Sequence, residues 1–347
     1  MPETAFTIHD TPGLVRRIQG DLDVITASVR RADPHLRSLL LTGGFARGEG
    51  AAFRGAPQND YDLVAVRRMG RPRVPYERVR ADLERRLGLH IDLAPVGAWR
   101  LPFVSRSIFW YETAQRSRVL WGADVRRRIR IQDAKDIRPQ EGLRLLVNRA
   151  AGLLLVTESH DAHARRLQAA KGILAALDAQ LLATGHFAPS QRERWQIFED
   201  MRLRGQAPEG LEAVQDWLEW AYTFKVAPDE AAPKDAGDAW REASKILLDA
   251  VPVALTHARL SSLDEYARRD GVLSHVFYLR RSADVPGARR LVLNPTGRVR
   301  VGTLRLLAAS LDGRVDPDVA QRSFERLVTL RDDPLKRLEA LRHATLQ

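Results

Sequence analysis

The feature that most constrains the fold of this chain is a pair of apolar runs. Each run adjoins residues that are rare in the interior of a strand. The first run, residues 36–42, ends in the pair Gly43-Gly44, and the second opens with Asp60 and Asp62. Side chains alternate between the two faces of a strand, so these two carboxylates should point the same way. Like charges held side by side repel each other, and burying either one alone is costly. The pattern therefore predicts a strand end at which two carboxylates share a cation.

The residue types around these runs favour a complex of a metal ion with a nucleotide. Mg²⁺ is a hard cation that binds carboxylate and phosphate oxygens together. Glycine has no Cβ, so Gly43 and Gly44 would let backbone N–H groups approach a phosphate closely. The two halves of the pattern thus predict one site, with carboxylates for the metal and a glycine turn for the phosphates.

The order of these elements resembles the nucleotidyltransferase superfamily of DNA polymerase beta. Members of that superfamily have a strand, a Gly-Gly or Gly-Ser turn, a short helix and a strand with Asp-x-Asp. The segment Ala46-Arg47-Gly48 is similar to small bacterial members, which include aminoglycoside and minimal antitoxin nucleotidyltransferases. The resemblance covers residues 1–125, and the loop between Gly44 and Asp60 is longer than in the small members.

The resemblance also implies a third carboxylate on a later strand, and Asp92 is the matching residue. Asp92 lies between Ile91 and Leu93, so it is a charge within an apolar run that needs a partner or a metal. Asp82 and Glu84 are rivals by distance in the sequence. They fall among arginines on the preceding helix, and we expect them on an exposed charged face.

What the resemblance implies for function is nucleotidyl transfer: a nucleoside monophosphate moves from a nucleoside triphosphate to a hydroxyl group, and pyrophosphate is released. The protein would then be an enzyme with Mg²⁺ or Mn²⁺ as its cofactor. The metal ligands would be Asp60, Asp62 and Asp92, and Asp92 would also serve the acceptor hydroxyl. The β- and γ-phosphates would lie at Gly43 and Gly44, helped by Arg47.

The acceptor stays open. A small hydroxylated molecule such as an aminoglycoside or a sugar is the first candidate, a protein side chain the second, and an RNA 3′ end the third. The net charge of +11 favours RNA, but the arginines are scattered, with one dense cluster at residues 126–130. A non-catalytic nucleotide-binding regulatory module is the alternative from a different functional class.

The organisation of the chain predicts an α/β (α+β) protein. A small mixed-sheet nucleotidyltransferase domain with helices on one side of its sheet would be followed by a larger helical domain that faces the cleft and selects the acceptor. The predicted domains are residues 1–125 and 137–347, with a possible subdivision in the loop at 226–238. The predicted elements before residue 125 are helices at 12–31, 75–87 and 106–120, strands at 36–42, 60–67 and 89–96, and a short helix or loop from residue 49. A further loop is predicted at residues 285–296.

Two other groups of residues carry chemistry. Lys171 and Asp178 lie seven residues apart on one side of a predicted helix, and lysine is scarce in a chain where arginine outnumbers it roughly eight to one. Lys171 is therefore a candidate for binding a nucleotide phosphate, and the alternatives are a salt bridge between the domains or an exposed surface position. His160, Asp161 and His163 have the chemistry of metal ligands but no further ligand nearby, so we expect a capped, exposed helix start.

Cysteine is absent, which excludes disulfides, thiol chemistry and zinc–thiolate sites. Residues 1–10 lack a signal-peptide pattern, and no apolar run reaches the length of a membrane helix. We therefore expect a cytoplasmic protein with no membrane partner.

Overall fold

The computed structural model describes residues 5–58, 60–69, 72–157, 159–269 and 295–314. The chain is a mixed α/β protein with a small four-stranded mixed sheet, as the sequence predicts at this coarse level. It divides into two compact units. The first unit comprises Met1–Arg138, Thr184–Glu209 and Tyr222–Ala232, and the second comprises Pro139–Ala183, Gly210–Ala221 and Pro233–Gln347. The predicted domain boundaries stay a prediction.

The elements before residue 125 all belong to the first unit. In chain order they are α1 (Pro12–Ala32), β1 (Leu36–Leu41), α2 (Gly43–Arg47), β2 (Ala52–Phe53), β3 (Ala56–Pro57), β4 (Tyr61–Arg67), α3 (Tyr76–Leu87), β5 (Ile91–Gly97), α4 (Ile108–Arg116) and β6 (Arg118–Gly122).

The elements after residue 138 are helical in the described part of the chain. They are α5 (Glu141–Leu155), α6 (Ala162–Ala183), α7 (Gln191–Leu203), α8 (Gln215–Val226), α9 (Ala236–Asp249), α10 (Val251–His257), α11 (Leu263–Arg269) and α12 (Pro295–Leu311). Short 3₁₀ turns occur at Ala98–Phe103, Arg126–Arg128, Ala134–Asp136 and Glu212–Val214.

Local signals account for the first elements of the chain. Thr11 accepts a hydrogen bond from the amide of Leu14 and so caps α1, while Pro12 occupies the first helical position, where no N–H is needed. The apolar stripe of α1 is buried, as its spacing predicts. The helix α3 ends at Gly88, as predicted.

The strand order in the sheet is β5-β4-β1-β6. β1 pairs antiparallel with β4 and β6, whereas β4 and β5 are parallel. Leu39, Tyr61 and Leu63 belong to the core cluster formed with α1 and α3 on one face. Val64 and Val66 point to the other face by alternation and are also buried, so both faces of the sheet are covered, not the one face that was predicted.

Two predicted elements before residue 125 are wrong. The segment after Glu49 forms the short hairpin β2–β3 instead of a helix or loop, with Arg54 and Gly55 at positive φ in its turn. The predicted helix at 106–120 stops at Arg116, and residues 118–122 form β6. Pairing with the edge of β1 decides this second case, because the strand satisfies backbone groups that would otherwise be unpaired.

The second unit is built around α6, which packs against α5 and α9. Residues along its second half are buried on all sides, as expected for a helix in the middle of a bundle. The indole N–H of Trp240 on α9 donates to the carbonyl oxygen of Leu153 on α5 at 2.9 Å. The loop predicted at 285–296 lies outside the described residues up to 294, and its last two residues open α12.

Candidate functional site

Two of the three predicted carboxylates lie at the same register position of neighbouring strands. Asp62 on β4 is the Cα partner of Asp92 on β5, and because the strands are parallel both side chains leave the same face of the sheet. Asp60 lies just before β4 and is exposed, Asp92 is exposed, and Asp62 is half-buried. Tyr61, between the first two, points to the opposite face and donates its hydroxyl to Asp21 at 3.0 Å. Alternation along the chain puts Asp60 and Asp62 on the side opposite to Tyr61, the side from which Asp92 also projects.

The electrostatics of Asp62 show that the three carboxylates act on one another. Burial, followed by the charges of Asp60 and Asp92, raises the pKa of Asp62 to about 6, and the positive charges of Arg47 and Lys225 offset only part of this rise. Burial and like charges both disfavour the ionised form of a carboxyl group. The folded chain thus holds Asp62 in a place where its own charge is unfavourable.

Within the described part of the chain, no arginine, lysine or histidine side chain forms an ion pair with any of the three carboxylates. No group of three or more histidine or acidic side chains in the described chain lies close enough together to hold a metal ion as it stands. Side-chain oxygens of this type are nevertheless the ligands that Mg²⁺ and Mn²⁺ bind. The oxygen ligands therefore fit a divalent cation in their chemistry, but the side chains lie too far apart to bind one ion together without moving.

Gly43 has a specific reason to be glycine. It is the first residue of α2, its φ is +68°, and a Cβ at this position would lie 1.9 Å from Oδ2 of Asp62. The amide of Thr42 donates to the carbonyl oxygen of Asp62 at 2.8 Å, so the backbone at the end of β1 is bound to the strand that carries the carboxylates. The glycine turn and Asp62 are thus direct neighbours. Gly44 follows in α2, where a Cβ would approach the carbonyl oxygen of Glu49 to 3.3 Å.

Arg47, predicted to help bind phosphates, has a side chain that is 11% exposed and is held by two carboxylates. Its Nε lies 3.1 Å from Oε2 of Glu49 and its Nη1 lies 2.9 Å from Oε2 of Glu112. Burial acts to lower the pKa of Arg47, but the two glutamates outweigh burial and the pKa is raised. The guanidinium of Arg47 stays charged and is already paired within the first unit.

Glu49 is an element of the site that sequence reasoning missed. Its side chain is 4% exposed, and both of its oxygens accept backbone N–H groups from the start of α7: Oε2 from Gln191 at 3.1 Å and Oε1 from Arg192 at 2.7 Å. Burial acts to raise the pKa of Glu49, yet Arg47 and these donors together lower it. A glutamate between two glycines in a polar loop gives no local signal of such a role, because its donors are more than 140 residues away in the chain.

Lys225 is the second residue that was missed. It lies near the end of α8 in the part of that helix that belongs to the first unit, and its charge acts on Asp62. The scarcity of lysine that drew attention to Lys171 applies equally to Lys225 and could have found it. Lys171 itself lies on α6 in the second unit, so its assignment to a phosphate stays a prediction.

The remaining candidates have structural partners. Asp161 accepts the amides of His163 and Ala164, which makes the His-Asp-x-His group a capped helix start as expected. Asp82 is exposed and pairs with Arg85. Glu84 is 28% exposed, accepts the amide of Ile91 at 3.1 Å and lies against His90, so it fixes the start of β5.

Comparisons of the chain with known protein families, with curated proteins and with solved structures gave no match. None of the described helices is long and apolar enough to cross a membrane.

Proposed function

We propose that this protein is a metal-dependent nucleotidyltransferase that moves a nucleoside monophosphate from a nucleoside triphosphate to a hydroxyl group. One observation carries the proposal. Asp62 and Asp92 lie side by side on parallel strands with Asp60 next to them, and no basic side chain of the described chain pairs with them. Carboxylates held together at an energetic cost are typical of functional sites. A divalent cation is the partner that their charge and oxygen chemistry favour.

Asp60, Asp62 and Asp92 would hold Mg²⁺ or Mn²⁺ in this proposal. When bound, such an ion neutralises negative charge on a triphosphate and on the leaving pyrophosphate. The three side chains would converge by rotation about their χ angles, since like charges stay apart when nothing lies between them. The raised pKa of Asp62 would fall again in the complex, because a cation favours the ionised carboxylate.

The triphosphate would lie next to the glycine turn. Because Gly43 has no Cβ, the first residue of α2 lies directly against the carboxylate of Asp62, and a side chain there would collide with it. Lys225 supplies a positive charge that acts on Asp62. Arg47 would act on the phosphates chiefly through its charge, because Glu49 and Glu112 already bind its Nε and Nη1.

Asp92 would stand on the acceptor side. It is the exposed member of the pair on the edge strand of the sheet, whereas Asp62 is half-buried beside the turn. A carboxylate in that place can accept the proton of an acceptor hydroxyl. The acceptor we propose is a small hydroxylated molecule or a protein side chain. An RNA end is less favoured, since in the dense arginine cluster Arg126 is paired with Asp124.

The experiment that tests the function is incubation of the purified chain with each labelled nucleoside triphosphate, Mg²⁺ or Mn²⁺, and a panel of candidate acceptors. Release of pyrophosphate and transfer of label that both need metal would support the proposal. Thermal unfolding should show stabilisation by the triphosphate with metal and much less with a chelator. Binding of the triphosphate with metal but with no transfer to any acceptor would favour the non-catalytic module. Equal stabilisation with and without metal would argue for a simple anion site.

A further inference from the structure

A series of ion pairs, which we call the circuit, begins just after the glycine turn and closes through backbone amides at the start of α7. Arg47 contacts Glu49 and Glu112, and the second oxygen of Glu112 accepts from Nη2 of Arg194 at 2.7 Å. Arg194 lies on α7, in the turn that follows the two amides bound to Glu49. The circuit therefore joins three segments of the first unit: the end of α2, α4 and the first turn of α7.

The four charged side chains of the circuit sum to zero net charge. Two arginines face two glutamates, with side chains that are 11%, 4%, 18% and 3% exposed for Arg47, Glu49, Glu112 and Arg194. The Nε of Arg194 also donates to the carbonyl oxygen of Ser190 at 3.1 Å. Removing one partner of such a group leaves the others buried and unpaired, which is costly.

α2 needs external support to keep its place. A helix of five residues is too short to be stable by itself, because nucleation costs more than so few hydrogen bonds return. At its last residue, Arg47 is bound by the circuit, and the carbonyl oxygen of Ala46 accepts from Nε of Arg118 at 2.6 Å. At its first residue, Gly43 rests against the carboxylate of Asp62. A shift of α2 would therefore change the surroundings of Asp62.

We propose that Glu49 is a positioning residue for the carboxylate site: by binding Arg47 and the first two amides of α7 it holds α2, and with it Gly43, against Asp62. Glu49 contacts neither the carboxylates nor the space next to Gly43, so its effect passes through Arg47 and the backbone of α2. This inference rests on the proposed function, since it assigns a supporting residue to the same site.

The test compares the variant Glu49→Gln with a control variant that breaks a different buried ion pair of the first unit. Glu49→Gln keeps an oxygen acceptor and removes the charge. The control is Asp33→Asn: Asp33 is fully buried, lies 2.6 Å from Arg67, and precedes β1, whereas Gly43 follows the other end of that strand. Both variants break a buried ion pair of the same unit, but only one of these pairs contacts α2.

Two measurements are made on the full chain. Hydrogen exchange is followed at the amides of residues 43–48, and Mn²⁺ affinity is measured by titration with the metal alone. We expect Glu49→Gln to speed exchange at these amides and to weaken Mn²⁺ binding about tenfold, the lower end of the effect seen when supports of metal ligands are removed. Asp33→Asn should leave both unchanged at the same concentration of protein, even though it lowers global stability. Glu49→Ala should exceed Glu49→Gln in both effects if it folds.

Equal exchange at residues 43–48 in the two variants, or unchanged Mn²⁺ affinity in Glu49→Gln, would overturn the inference. A wild-type chain that binds no Mn²⁺ would instead refute the proposed metal site. The hydrogen-exchange measurement alone would then decide whether Glu49 holds α2. Failure of the positioning role of Glu49 can therefore be distinguished from failure of the proposed metal site.

Discussion

Two groups of acidic side chains lie near the two ends of α2, and they differ in whether a positively charged side chain neutralises them. Glu49 and Glu112 are neutralised by Arg47 and Arg194, and the pKa of Glu49 is lowered although burial acts to raise it. Asp62 has no such partner in the part of the chain that the structure describes, and burial together with Asp60 and Asp92 raises its pKa. The first group has the features of structural support, while the second has the features of a site that a ligand completes. Five variants test that difference.

The largest effect should follow removal of a carboxylate from the second group. Asp62→Asn and Asp60→Asn each keep the size of the side chain and remove a proposed negative metal ligand. We expect each to lower kcat of nucleotidyl transfer by about 10²–10³-fold, because the cation that these groups would hold neutralises negative charge that develops in the transition state. Circular dichroism should show an unchanged fold.

The control for these variants is Asp82→Asn, which removes an exposed carboxylate from α3 that pairs with Arg85. It should leave kcat unchanged. Near-normal turnover of Asp62→Asn with a verified acceptor would contradict the assignment of the metal site.

A side chain at Gly43 should disturb the contact between α2 and Asp62. In Gly43→Ala the new Cβ would meet the carboxylate of Asp62 at a residue with positive φ, so we expect a loss of about 2–4 kcal/mol in the free energy of unfolding, with loss of transfer. Gly55→Ala is the matched control, since Gly55 has a φ of +77° and nothing within 4 Å of its Cβ position. It should cost about 1 kcal/mol. Equal losses in urea unfolding would show that backbone strain, not the contact with Asp62, makes Gly43 necessary.

Asp92 should be separable from Asp62 although the two are register partners. Asp92 is exposed on the edge strand and is assigned to the acceptor, so Asp92→Asn should lower kcat about 10–100-fold and change the dissociation constant of the triphosphate by less than about threefold. Calorimetry with the triphosphate and steady-state kinetics separate the two quantities. A parallel loss of affinity and rate would place Asp92 with the triphosphate instead of the acceptor.

The smallest effect is on the free energy of unfolding of the metal-free chain. Removing a carboxylate charge should change this free energy in opposite directions in the two groups. The pKa of Asp62 is raised to about 6, so its contribution favours the folded state below the ordinary value near 4 and is lost as the pH rises through 6. Asp62→Asn should therefore stabilise the metal-free chain at pH 7, by about 1–2 kcal/mol after allowance for solvent screening.

Glu49 should behave in the opposite way. Its pKa is lowered, so its contribution is present above the ordinary value and is lost as the pH falls through the folded value. Glu49→Gln should destabilise the chain at pH 7. Urea unfolding of both variants and the wild type at pH 4.5 and pH 7, with chelator present, measures these differences. Destabilisation of the chain by Asp62→Asn at pH 7 would contradict the interpretation of Asp62 as an unfavourable charge.

Several features of the molecule could be predicted from short stretches of sequence. The bounds of α1 follow from its cap and its apolar stripe, α3 ends at the predicted glycine, and Asp60 and Asp62 alternate with Tyr61 as a strand requires. These features depend on periodicity and on residues a few positions apart, and such information is present in the chain before it folds.

Only the tertiary structure decided which distant residues meet. Residues 118–122 form a strand because an edge of β1 is available to them, and Asp92 stands beside Asp62 because β5 lies parallel to β4 in that register. Glu49 joins donors of α7 that no local pattern connects to it. The sequence by itself determined which carboxylates and glycines could form a site. Strand order and burial decided which of these charges are neutralised by a nearby arginine and which are held beside like charges, because pairing between distant segments depends on the packing of the whole unit.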